Sequence, residues 1–190
     1  MKRIFIAIKV EAGIELQRMT ANLKAVLGNE NIKWADIRNI HVTLAFLGDT
    51  EEKKIRSLAG VIKEKCAGFG DFEFTISGTG VFRNFRDPRV IWAGINPQEE
   101  LIRLGELIVD ALRQEDFDLD DKPFRPHITL GRIKNIRDIQ NLKKVLAKYS
   151  YAELQTVSVK EVILFESILK QAGPVYKPLA NFPLKLNLKH

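Results

Sequence analysis

The sequence predicts strands and helices alternating in a fold built twice over, and three observations carry that reading. His41-Val42-Thr43-Leu44 returns as His127-Ile128-Thr129-Leu130, and Arg3-Ile4-Phe5-Ile6-Ala7 returns as Arg89-Val90-Ile91-Trp92-Ala93. The steps from 41 to 127 and from 3 to 89 are both 86 residues, the mark of an internal duplication. Between strand and histidine each copy carries apolar residues at helical spacing: Leu16, Met19, Leu23 and Val26, then Leu101, Leu104, Ile108 and Leu112.

Residues 3–10 alternate and are rich in isoleucine, which predicts a strand. A helix follows over 13–27, closed by Gly28-Asn29. Residues 34–39 lead into a strand over 40–47. Gly48-Asp49-Thr50-Glu51 reads as a turn and helix start, and the helix runs through Ile55, Leu58, Val61 and Ile62 to Cys66. Residues 72–76 alternate as a strand, broken by Ser77-Gly78-Thr79-Gly80, and a strand over 90–95 resumes after the charged loop 83–89. Asn96-Pro97 opens the second long helix, with the proline suited to its first turn.

The acidic stretch Glu115–Asp121 reads as a solvated loop, because it lacks the spaced ligands and glycine turn of a calcium site. Lys122-Pro123-Phe124-Arg125-Pro126 then delivers the second histidine strand, Pro126 holding Arg125 extended. A helix over 136–148, one strand over 157–165 and a proline-punctuated tail over 172–186, packed by Tyr176, Leu179, Phe182 and Leu184, complete the chain. No linker, low-complexity run or charge block divides it.

Apolar residues make up 45% of the 190, enough for a proper core. No apolar run approaches the roughly 20 residues of a membrane span, and Lys9 and Glu11 interrupt the N-terminal run, so a soluble protein is expected. A single cysteine, Cys66, sits in helical register as a core residue rather than a nucleophile and fits a reduced, cytoplasmic setting. Lysine and arginine exceed aspartate and glutamate by 30 to 24, a net charge of +6 that attracts polyanions, nucleic acid foremost.

Side chains alternate across an extended strand, so His41 and Thr43 share one face and Val42 and Leu44 the other. The second copy repeats this with His127 and Thr129. The same parity sends Phe46 to the core. Two imidazoles facing each other suit a reaction that removes one proton and delivers another, and threonine hydroxyls beside them can hold an anionic oxygen. A metal site is the weaker alternative, for want of third and fourth ligands, and no Gly-x-Ser-x-Gly nucleophile elbow occurs.

Paired His-x-Thr-x motifs in a duplicated chain resemble the 2H phosphoesterases, specifically their RNA 2′,3′-cyclic phosphodiesterase (2′-5′ RNA ligase-like) branch. The resemblance covers nearly all of residues 1–190: the opening Arg3-Ile4-Phe5-Ile6-Ala7-Ile8, His41 to Gly48, Phe124 to Arg132, and Tyr176-Lys177-Pro178-Leu179 with Phe182-Pro183-Leu184. It implies an α+β fold in a single domain of two interleaved pseudo-symmetric lobes, each a mainly antiparallel sheet flanked by helices, around a central basic cleft. It implies hydrolysis of RNA 2′,3′-cyclic phosphate ends to 2′-phosphate, with His127 activating water, His41 protonating the departing 3′ oxygen, and Thr43 and Thr129 binding the non-bridging oxygens.

Reversible 2′-5′ ligation, RNA substrates that include tRNA, a monomeric state, and no metal or nucleotide cofactor complete the expectation. Arg132 matches a phosphate-binding position, but strict alternation sets it on the far face unless Gly131 supports a bulge. Arg125 is a further substrate-binding candidate. Two other functions remain open from sequence: a non-catalytic RNA-processing accessory, and a relative acting on a small cyclic phosphate.

Overall fold

The computed structural model describes residues 1–119, 123–171 and 173–185. The end of the acidic loop (Asp120, Asp121, Lys122) and the tail residues Ala172 and Leu186 lie outside the described residues. Two antiparallel sheets carry the fold. The smaller has the order β3-β1-β8-β9, formed by β1 (Lys2–Lys9), β3 (His41–Thr50), β8 (Glu161–Lys170) and β9 (Gly173–Pro183). The larger has the order β2-β6-β5-β4-β7, from β2 (Asn31–Trp34), β4 (Phe72–Phe82), β5 (Val90–Asn96), β6 (Ile128–Asn135) and β7 (Glu153–Val159).

Helices α1 (Ile14–Val26), α2 (Glu52–Cys66), α3 (Glu99–Gln114) and α4 (Ile139–Ala147) cover them. Each sheet receives a helix from the other half of the repeat. α1 leaves the smaller sheet and packs with α4 against the larger, and α3 leaves the larger and packs with α2 against the smaller. The two halves are therefore bound by exchanged helices.

In β1, Ile4, Ile6 and Ile8 belong to the main core, whereas Phe5 and Ala7 join Ile163 and Phe165 in a separate apolar cluster on the opposite face. That is why five consecutive β1 residues are buried. Cys66 is fully buried at the end of α2 and its thiol is pushed up to about 12 by burial, consistent with a core residue.

Several elements differ from the sequence reading for definable reasons. The stretch over 48–51 is no turn: Gly48, at φ 69°, carries β3 on to Thr50, opposite Lys2. Gly78, also at φ 69°, sits at a register shift within one continuous strand, where Ser77 to Gly80 reads as a break. The single strand expected over 157–165 is two, because the chain changes sheets at Lys160. The tail is a full strand, β9, whose Pro174, Pro178 and Pro183 are tolerated because it is a sheet edge. Pro97 precedes α3, which begins at Glu99, and the four-residue β2 has no signal of its own.

Candidate active site

Both histidine segments lie where the two sheets approach each other, at β3 and the start of β6. His41, Thr43, His127, Thr129 and Arg132 line one cleft of about 820 Å³. The two rings are mounted alike. Nδ1 of His41 donates to the Asn39 carbonyl at 2.7 Å, and Nδ1 of His127 donates to the Arg125 carbonyl at 2.7 Å. A carbonyl can only accept, so each Nδ1 carries the hydrogen and each Nε2 is left available.

Aromatic rings pack against both imidazoles. Phe82 meets His127 edge-on at 4.6 Å and packs on Trp92 at 5.7 Å. Phe5 and Tyr176 flank His41 at 5.1 and 5.2 Å. This half-buried setting lowers the pKa of both histidines. For His41 burial is the largest cause, followed by repulsion from His127 and Arg132; for His127 burial again leads, with Arg132 beside it. Arg132 acts on both rings, and His127 acts on His41 as well, so the three groups share one electrostatic environment.

Matched bulges shape the strand beyond each histidine. In β6, Thr129 pairs with Trp92 and Gly131 with Ile91, so Leu130 is the extra residue; in β3, Thr43 pairs with Ala7 and Ala45 with Ile6, so Leu44 is extra. Each bulge resets the alternation. Arg132 consequently lines the cleft, as it could not in a regular strand. Gly131 leaves room for the neighbouring strand: a Cβ there would stand 2.9 Å from Ile32 Cγ2 and 3.0 Å from Trp34 Cε3.

The same reset overturns the core placement of Phe46. It stands 50% exposed, with the Arg3 guanidinium 4.9 Å from its ring centroid, on the face it shares with its strand partner Phe5. Residues 46 and 132 are equivalent in the repeat, so the two halves put an aromatic and a guanidinium at corresponding points. Arg125 does not line the cleft. Its side chain is exposed, and its contribution is the carbonyl that holds His127.

The sequence reading missed a ring of cations: Lys24, Lys33, Arg38 and Lys170 also line the cleft. Asp36 is the one carboxylate among the described lining residues. It accepts from the Arg38 backbone N–H and guanidinium, which hold its carboxyl down at about 2. Tyr176, assigned to tail packing, also faces the cleft; burial raises its phenol while Arg132 acts to lower it. The signal for Tyr176 was its place in the closing motif. The cations come from four separate elements and share no pattern.

The 2′-5′ RNA ligase superfamily pattern matches residues 17–168. The chain belongs to that superfamily. Within these 2H phosphoesterases it is 33% identical over 180 residues to an RNA 2′,3′-cyclic phosphodiesterase of Archaeoglobus fulgidus, spanning 95% of this chain and 99% of that protein. It is 33% identical over 177 residues to one of Thermotoga maritima, spanning 93% and 92%. The fold matches Escherichia coli LigT crystallised with 3′-AMP, at TM-score 0.76 and 24% identity over 96% of this chain and 98% of LigT.

Proposed function

We propose that this protein hydrolyses RNA 2′,3′-cyclic phosphate ends to 2′-phosphate ends, with His127 as general base, His41 as general acid and no metal in the reaction. The observation that carries the reading is the equivalent mounting of the two rings, each with Nδ1 tied to the carbonyl two residues back and Nε2 available in one cationic cleft.

His127 Nε2 takes a proton from water as the water oxygen forms a bond to phosphorus. The bond from phosphorus to the 3′ oxygen breaks, and His41 Nε2 delivers the proton that oxygen needs. The phosphate stays on the 2′ oxygen. Hydroxyls of Thr43 and Thr129, which have no protein hydrogen-bond partner among the described residues, donate to the non-bridging oxygens, and the Arg132 fork neutralises their charge. These groups supply both proton transfers and the charge stabilisation, so the scheme needs no Lewis acid. An RNA 5′-hydroxyl attacking in place of water yields a 2′-5′ linkage by the same transfers, which accounts for reversible ligation.

Burial favours the neutral form of both rings, and a phosphate anion bound beside them raises both pKa values and returns a proton to the acid. Fragments of tRNA and other processed RNAs with cyclic-phosphate ends are the substrates this chemistry accepts. Product analysis on an RNA with a defined 2′,3′-cyclic phosphate, run in EDTA, tests the assignment. A 2′-phosphate end supports it, and a 3′-phosphate end contradicts which oxygen leaves.

A further inference from the structure

A second groove, of about 640 Å³, takes in the end of β6 after Arg132. Its walls are the β4–β5 loop, with Phe85, Arg86 and Arg89; the end of β6, with Ile133 and Lys134; and α4, with Lys143. We propose that this groove seats the single-stranded RNA backbone on the 5′ side of the cyclic-phosphate end, a reading that rests on the phosphodiesterase function above.

Charge is the first support. Arg86, Arg89, Lys134 and Lys143 are all exposed. The one carboxylate of the lining, Asp87, is held by Arg83 and by Arg89 at 2.9 Å, so it neutralises neither Arg86 nor the lysines. Arg86 and Lys134 have no ion-pair partner among the described residues.

The floor is the second support. Ile133 is buried beneath the groove and Phe85 is half-buried, with Lys143 Nζ 5.5 Å from its ring centroid. A cationic rim over an aromatic and aliphatic floor is the pairing that holds phosphates and stacked bases of a single strand together.

The loop is also braced by its own hydrogen bonds. Asn84 Oδ1 accepts the backbone N–H groups of Arg86 at 2.8 Å and Asp87 at 3.1 Å. Binding then costs little in loop ordering.

Proximity along β6 supports the same occupant. Arg132 lines the cleft and Lys134 the groove, two residues along one strand and therefore about 6.6 Å apart at the usual strand rise. An RNA end held at Arg132 therefore brings the preceding nucleotide within reach of the exposed Lys134.

The test compares wild type with Lys134→Glu/Lys143→Glu and with the uncharged Lys134→Gln/Lys143→Gln, on a cyclic mononucleotide and on a ten-nucleotide RNA bearing the same cyclic end. The expected result is unchanged mononucleotide kcat/KM and an RNA kcat/KM lower by about tenfold in the glutamate pair and less in the glutamine pair. Two lost contacts flatten the salt slope by about 1.4 for a single strand.

Fluorescence anisotropy with a 3′-phosphorylated ten-nucleotide RNA reads the groove apart from turnover, so absence of hydrolysis in wild type sinks the phosphodiesterase reading without hiding the groove. Equal losses on both substrates, or RNA affinity and kcat/KM unchanged in the glutamate pair with its melting temperature intact, would overturn the proposal.

Discussion

Arg132→Ala isolates the part of the site that the β6 bulge creates. The guanidinium reaches the cleft beside both histidines, and it lowers the pKa of each after burial has done so. Removing it has two separable effects. A hydrogen bond to a charged group contributes about 1.5–3 kcal/mol, so losing the contact to the transition-state phosphate lowers kcat/KM by roughly tenfold to 150-fold. Deleting a nearby cation also raises both histidine pKa values, so the bell-shaped pH profile of kcat/KM shifts as a whole to higher pH.

Arg132→Lys separates these effects: it keeps the charge and so the position of the bell, but loses the fork and most of the rate. The assay is steady-state hydrolysis of a cyclic mononucleotide from pH 5 to 9, with NMR titration of the two rings. A bell that moves to lower pH in Arg132→Ala, or a kcat/KM within twofold of wild type, would refute the shared electrostatic environment.

The same geometry sets other outcomes. Gly131→Ala drives a methyl against Ile32 and Trp34 and is expected to cost about 1–3 kcal/mol, read by chemical denaturation, with kcat/KM reduced because Trp34 lines the cleft; a neutral substitution would show that β2 yields freely. Both histidines have folded pKa values below the ordinary value of 6.5, so the unfolded chain binds protons first on acidification. Stability is therefore full above pH 6.5 and lost as pH falls toward the folded values, and Tm measured across that window should fall less in His41→Ala or with inorganic phosphate in the cleft. A Tm indifferent to both would contradict the burial of the rings.

What the sequence revealed and what it hid have a common physical origin. The repeated tetrapeptides and their parity located His41, Thr43, His127 and Thr129 because the face of a strand depends only on local alternation. The same logic misplaced Phe46 and left Arg132 conditional on a bulge, because the bulges at Leu130 and Leu44 arise from pairing with β5 and β1, which no count along β6 or β3 contains. The change of sheet at Lys160 was equally invisible, since apolar residues continue on both sides of it. Prolines disguised β9 because the penalty for a proline in a strand depends on whether that strand lies at an edge. Lys24, Lys33, Arg38 and Lys170 converge only after the elements carrying them pack together.

The central claim is that two equivalently mounted histidines act as one acid–base unit. Turnover of a cyclic-phosphate RNA in EDTA by His41→Ala, His127→Ala and the double variant tests it most directly. Each single variant is expected to lose about 10²–10⁴-fold in kcat, with the double variant losing far less than the product of the two. Undiminished turnover in either single variant, or losses in the double variant that simply multiply, would contradict it.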